Sequence, residues 1–211
     1  MSLQISNFVE HDLDRIEVGE PVAVLLHGYG ANERDLPSLM DYLPAMPWAA
    51  LRAPLTLQQG AYAWYGITTP LTPTIEEVQP ATEAVWAWIE EHIPTESPLV
   101  ILGFSQGGLM ATQLLRTHPE RIAATVILAG FRYQGEQPAD ARLLESRPKV
   151  FYGRGAQDTV VTKQAVASMN IWLQQHTRAI TKTYEGLAHS IDQRVMSDVA
   201  DYLAPKLSQH Q

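Results

Sequence analysis

The chain contains no cysteine. That absence removes disulfide cross-links, thiolate-bound metals and every mechanism built on a cysteine nucleophile. Basic charge is scarce as well: 15 Lys and Arg stand against 23 Asp and Glu, for a net charge of −8. A surface of that sign repels a phosphate backbone, so nucleic acid is not an expected partner. No apolar run is long enough to span a bilayer, and residues 1–15 are polar and acidic, without the apolar core of a signal peptide. The expectation is a cytoplasmic protein with no stable membrane association. Histidines and carboxylates do not gather at ligand spacing, so neither a metal nor another cofactor is expected.

What is present is an ordinary globular composition, 45% hydrophobic and 18% charged over 211 residues. That length suits one domain, residues 1–211, with a substantial core. The stretch that organises the chain is Leu99-Val100-Ile101-Leu102-Gly103-Phe104-Ser105-Gln106-Gly107-Gly108. A continuous apolar run of this kind is a buried parallel strand, and the helix-forming residues from Leu109 to Leu115 follow directly. Between them lies G-x-S-x-G, a nucleophile elbow. Its serine occupies a strained strand-to-helix turn in which side chains at Gly103 and Gly107 would collide with backbone. The bland reading of the same residues is a serine helix cap followed by two glycines. The strand before and the helix after favour the elbow.

Elsewhere, strands and helices alternate. Residues 4–9 read as a weak edge strand and residues 22–26 as a buried one. Asn32-Glu33-Arg34-Asp35 opens a predicted helix through Leu36, Leu39, Met40 and Leu43, followed by a short strand from Trp48 to Leu51. Residues 58–73 read as a loop carrying Tyr62, Trp64 and Tyr65, aromatics that serve either as binding residues or as a plug for the edge of the core. Pro80 belongs in a first helical turn, which puts the start of the next helix near Val78, with Trp86 and Trp88 in the core. Further strands are expected at residues 125–128, 149–152 and 180–184, and a closing amphipathic helix carries Ile191, Val195, Val199, Tyr202 and Leu203. The connection 131–148 is polar and too short to hold a cap domain. This alternation predicts an α/β fold: a mostly parallel central sheet of about seven strands, covered by helices on both faces.

In such sheets the reacting groups gather beyond the carboxyl ends of the strands. His27-Gly28, Ser105, Asp158 and His189 all stand at such ends. Ser105, Asp158 and His189 occur in the order Ser…Asp…His, the order of the α/β-hydrolases. A serine hydroxyl attacks only when a base takes its proton; His189 fits that role, with Asp158 holding its tautomer. Asp140 is the rival carboxylate, but no strand leads into it. His27-Gly28-Tyr29-Gly30 follows an early strand, where a second oxyanion donor is expected, so the backbone N–H groups of Tyr29 and Gln106 form the candidate oxyanion hole. His27 itself is read as a brace for that loop.

These residues resemble the phospholipase/carboxylesterase family, which includes carboxylesterases, acyl-protein thioesterases and lysophospholipases. The resemblance rests on Leu26-His27-Gly28-Tyr29-Gly30 with Asp35, Ala53-Pro54, Gly60 with Ala63-Trp64-Tyr65, Gly103-Phe104-Ser105-Gln106-Gly107-Gly108, Asp158-Thr159-Val160-Val161 and Gly186-Leu187-Ala188-His189-Ser190-Ile191. It implies an α/β-hydrolase fold, Ser105 as nucleophile, Asp158 as triad acid, His189 as base, backbone donors at Tyr29 and Gln106, and Trp64, with Tyr65, beside the bound acyl group. Two blocks depart from the family pattern: Tyr152-Gly153 stands for the usual His-Gly before the acid, and Gly186-Leu187-Ala188-His189 for Gly-Met-Gly-His. Neither touches the triad; both bear on the pocket. The expected function is a cofactor-free carboxylesterase acting on small esters of short to medium acyl chain. The alternatives are an acyl-protein thioesterase or lysophospholipase and, from another class, a catalytically silent binding protein on the same fold. Homodimer formation stays open.

Overall fold

In the computed structural model, which describes residues 2–67 and 71–207, the apolar runs of the sequence become the middle of a seven-stranded sheet. Part of the predicted 58–73 loop (residues 68–70) and His210 lie outside the described residues. The chain enters through β1 (Phe8–His11), β2 (Val22–Leu26) and β3 (Trp48–Leu51). A hairpin of β4 (Leu55–Gln58) and β5 (Ala61–Ala63) follows, and then α1 (Ile75–His92), β6 (Leu99–Phe104), α2 (Gln106–Thr117) and β7 (Ile122–Leu128). The chain closes with α3 (Asp140–Ser146), β8 (Lys149–Gly155), α4 (Lys163–His176), β9 (Arg178–Tyr184) and α5 (Gln193–Leu207).

The strand order is β1-β3-β2-β6-β7-β8-β9, and only β1 runs antiparallel to its neighbour. Every residue of β2 is buried and β6 is buried up to Gly103, as strands covered on both faces must be. One face packs against α1, α2 and α4 through residues such as Val85, Leu109, Leu114 and Met169. The other is covered by α5 through Val195, Val199 and Leu203, with Leu36 and Met40 beside them. Trp86 and Trp88 are buried, as the sequence predicts.

Several boundaries differ from the sequence expectations, each for a local reason. The predicted helix through Leu36 and Leu43 is instead a turn followed by a 3-10 segment, Pro37–Tyr42. Pro37 has no N–H to give the Glu33 carbonyl, so a helix opened at Asn32 cannot run through it; the segment that begins there carries i to i+3 bonds such as Leu39 N–H to the Leu36 carbonyl. Helix α1 starts at Ile75 rather than near Val78, because Glu77 reaches back to accept the Thr74 N–H at 2.8 Å. Pro80 therefore lies inside the helix, where it leaves the Glu76 carbonyl without its usual partner. The 58–73 stretch is partly ordered by the β4–β5 hairpin, the strand expected from residue 125 already begins at Ile122, and the 131–148 connection contains α3.

Asp140, the rival carboxylate, has a structural task. Arg116 is 1% exposed, and its guanidinium donates to both oxygens of Asp140 at 2.8 and 2.7 Å. It also donates to the carbonyls of Tyr133 and Gly135. Burial alone would raise the Asp140 pKa, but the hydrogen bonds and charge of Arg116 prevail and lower it. A carboxyl whose pKa falls on folding stabilises the fold above its unfolded pKa, and that stability is lost as the pH drops through the folded value. Asp140→Ala leaves a buried guanidinium without its counter-ion and is expected to cost ~3 kcal/mol in urea unfolding. The cost should shrink as the pH is lowered into the acid range, because the parent then loses the same interaction.

Candidate active site

The carboxyl end of β6 delivers Ser105 into a conformation that serine seldom adopts, with φ 54° and ψ −114°. The positive φ is imposed from both sides. The Ser105 N–H donates to the Leu128 carbonyl at 2.9 Å, while its own carbonyl already accepts the Gly108 N–H at the start of α2. The turn closes only because two neighbours lack side chains. A Cβ on Gly103 would overlap the Gly107 carbonyl, and one on Gly107 would overlap the Leu26 carbonyl at the end of β2. The G-x-S-x-G spacing is thus a packing requirement, and it holds the serine at the edge of the sheet.

Ser105 Oγ lies 2.9 Å from His189 Nε2, and His189 Nδ1 lies 2.8 Å from Asp158 Oδ2. The second oxygen, Asp158 Oδ1, accepts the backbone N–H groups of Val160 and Val161 at 2.9 and 3.1 Å. The Asp158 side chain is shut off from solvent, whereas His189 keeps 18% of its side-chain surface exposed. A carboxylate fixed by two backbone donors orients the imidazole with Nδ1 protonated and Nε2 free to accept the serine proton. The Phe104 ring, 4.9 Å from the imidazole between centroids, backs the histidine from the strand side. The His189 loop can approach β8 because residue 155 is glycine: a Cβ there would overlap the carbonyls of Leu187 and Ala188. Gly155, two residues after Gly153 on the same strand, is therefore a glycine that the approach of the His189 loop requires.

The expected donors are the backbone N–H groups of Tyr29 and Gln106. Among the described residues, neither N–H is taken by a protein acceptor. His27 braces their loop as the sequence predicts: its Nε2 accepts the Ala53 N–H at 3.0 Å, which leaves Nδ1 to donate to the Gly28 carbonyl at 2.7 Å. Burial lowers the His27 pKa, so the ring stays in the neutral form that this pairing requires.

The expectation for Trp64 and Tyr65 fails. Trp64 is 0% and Tyr65 3% exposed, so neither presents a wall to a ligand. The Trp64 indole packs 5.4 Å from the His27 ring and donates its N–H to the His27 carbonyl at 2.8 Å. Exposed apolar side chains in these segments are Tyr29 in the loop after β2, Val160 two places after Asp158, and Ile67 in the stretch after β5, at 45%, 53% and 45%. Tyr29 and Val160 were legible only as neighbours of site residues, Tyr29 within the oxyanion loop and Val160 two places after Asp158. A groove of about 510 Å³ beside α1 and α2, around Trp86, Gln113 and Thr117, contains none of the site residues. Among the described residues no cluster of His, Asp and Glu has the composition of a metal site.

With the geometry described, comparison with known proteins is informative. Acyl-protein thioesterase 1 of Kluyveromyces lactis is 23% identical over 210 residues, covering 88% of this chain and 92% of that protein. The solved carboxylesterase of Mesorhizobium loti superposes with a TM-score of 0.76 at 19% identity, over 93% of each chain. The Bacillus cereus carboxylesterase gives the same TM-score at 18% identity, over 95% of this chain and 93% of that one. These likenesses establish the α/β-hydrolase fold. The family model described as phospholipase/carboxylesterase matches residues 15–207, and the chain belongs to that family of hydrolases.

Proposed function

We propose that this chain is a serine hydrolase that cleaves short- to medium-chain carboxylic esters through an acyl-enzyme intermediate. The observation that carries the reading is the continuous contact from Ser105 Oγ through the His189 ring to Asp158, 2.9 and 2.8 Å long. His189 Nε2 takes the serine proton as Oγ attacks the ester carbonyl carbon. The carbonyl oxygen becomes an oxyanion facing the N–H groups of Tyr29 and Gln106. As the tetrahedral adduct collapses, the imidazolium returns its proton to the departing alkoxide. Water then repeats the sequence on the acyl-serine, with His189 as base, and frees the acid. Asp158 stays ionised throughout and stabilises the imidazolium.

Tyr29, Ile67 and Val160 are the apolar groups available to an acyl chain. The thioesterase reading is favoured by one finding, the Kluyveromyces lactis relative that bears that name. Both readings use the same site and differ in the leaving group. A silent scaffold is disfavoured, because a binding protein has no need to hold Ser105 at a strained φ of 54° with a base in contact.

Ser105→Ala is expected to abolish ester turnover, a loss on the order of 10⁶ in kcat, without changing the urea midpoint. Retention of kcat within tenfold would remove Ser105 from the nucleophile's role, and so would failure of a fluorophosphonate probe to label it. Asp158→Asn should lower kcat by about 10⁴ by favouring the wrong tautomer of His189. Asp140→Asn, assayed where it remains folded, should leave kcat close to the parent; the opposite ranking would mean the wrong carboxylate had been assigned.

Acyl length gives a separate check on substrate. Each CH₂ buried against Tyr29, Ile67 or Val160 adds roughly 0.8 kcal/mol, so kcat/KM should climb along p-nitrophenyl esters from acetyl and then level off at short or medium chains. A rate still rising at dodecanoyl, below its aggregation limit, would favour the thioesterase reading.

A further inference from the structure

Gln106 contributes to the proposed oxyanion hole through its backbone N–H, yet its side chain is also committed. The residue is 2% exposed. Its Oε1 accepts the Trp64 N–H at 2.9 Å, and its Nε2 donates to the Tyr65 carbonyl at 2.9 Å. The amide therefore clamps the Trp64–Tyr65 segment just beyond β5 through both of its polar atoms. From there the connection runs to the other half of the hole. The Trp64 indole N–H holds the His27 carbonyl at 2.8 Å. The Gly30 N–H donates to the Tyr62 carbonyl at 2.8 Å, and the Tyr62 N–H to the Ala31 carbonyl at 2.9 Å. Tyr29 thus sits between anchored points at residues 27 and 30. The circuit closes where Gly107 packs against the carbonyls of Leu26 and His27.

We propose that the Gln106 side chain is a positioning residue that sets the spacing between the Tyr29 and Gln106 backbone N–H groups, acting through Trp64. The inference rests on the serine-hydrolase reading above and deepens it. It also accounts for the burial of the Ala63-Trp64-Tyr65 block: these residues frame the oxyanion hole from behind. Only an amide of this length satisfies both contacts. Methionine has neither donor nor acceptor, asparagine is one methylene short, and an ionised glutamate would set a second acceptor against the Tyr65 carbonyl.

Oxyanion stabilisation is steep in geometry: a misplacement of about 1 Å costs on the order of 10² in rate, and loss of one donor about 10² to 10³. Gln106→Met is therefore expected to lower kcat by roughly 10- to 100-fold while KM stays within about threefold, because the oxyanion exists only past the ground state. A trifluoromethyl ketone supplies an independent readout. Ser105 Oγ adds to its carbonyl carbon, the hydroxyl proton passes to His189, and the ketone oxygen becomes an oxyanion in the hole. Its affinity should fall in parallel with kcat. Gln106→Glu adds a pH signature. Burial against a carbonyl oxygen favours the protonated carboxyl, which restores one donor and one acceptor. Activity of this variant relative to the parent should therefore rise as the pH falls from about 8 to about 6, a ratio in which any pH dependence that the two enzymes share cancels.

The parent and Ser105→Ala are assayed alongside. An inactive parent, or an active Ser105→Ala, overturns the hydrolase reading and this inference with it. With a serine-dependent parent, the inference alone falls if folded Gln106→Met keeps kcat and ketone affinity within about twofold, or loses activity through KM only. Should Gln106→Met fail to fold, Trp64→Phe, which removes the indole N–H together with part of the ring and keeps a smaller aromatic filler, and the Gln106→Glu pH ratio decide. An unchanged kcat in the first or a flat ratio in the second overturns the inference.

Discussion

Everything at the carboxyl edge of this sheet depends on how closely helix α2 approaches the strand ends. The first turn of α2 lies against the Leu26 and His27 carbonyls, with Gly107 at the contact and Gly103 facing it across the turn. That proximity forces Ser105 into positive φ, and it leaves the Gln106 N–H beside the loop that carries Tyr29. The strain of such a residue is of order 1–3 kcal/mol and persists only where the surroundings over-determine it. Here they do: the Ser105 N–H and carbonyl are both bonded, and the flanking strand β6 is buried between β2 and β7.

The hydrogen-bonded relay is built on the same edge but from looser material. Asp158 and His189 stand in connections after β8 and β9, not in regular elements. Their precision comes from backbone groups: two N–H donors on Asp158, and a glycine at 155 that admits the His189 loop.

Much of this was legible in the sequence because the signals are short-range. The apolar run into Gly103, the glycine spacing around Ser105, and the order Ser105, Asp158, His189 each need only a few consecutive residues or their sequence order to be read. The misreadings concern partners distant along the chain. Trp64 looked like a ligand wall because an aromatic residue in a loop carries no local mark of burial; its partners, His27 and Gln106, lie 37 and 42 residues away. The start of α1 was obscured by Pro80, whose weight in a first-turn argument hid the Thr74–Glu77 pairing three residues apart. Pro37 likewise sat inside an apolar pattern with helical spacing and converted it to a 3-10 segment. Propensity and pattern give way where one missing donor or one distant partner is decisive.

The relay also ties the site to the order in which the chain is assembled. Ser105 and His189 are 84 residues apart, and the strands that carry them, β6 and β9, are separated in the sheet by β7 and β8. No fragment ending before β9 contains the imidazole, and no partial sheet brings it to the serine. Loop closure over such a span is entropically costly but grows slowly, about 0.6 kcal/mol for each doubling of length, so the expense lies less in distance than in waiting for three successive parallel pairings. Ser105 is thereby kept apart from His189 until the last strand is seated, and the contact between them is among the latest that the fold can make.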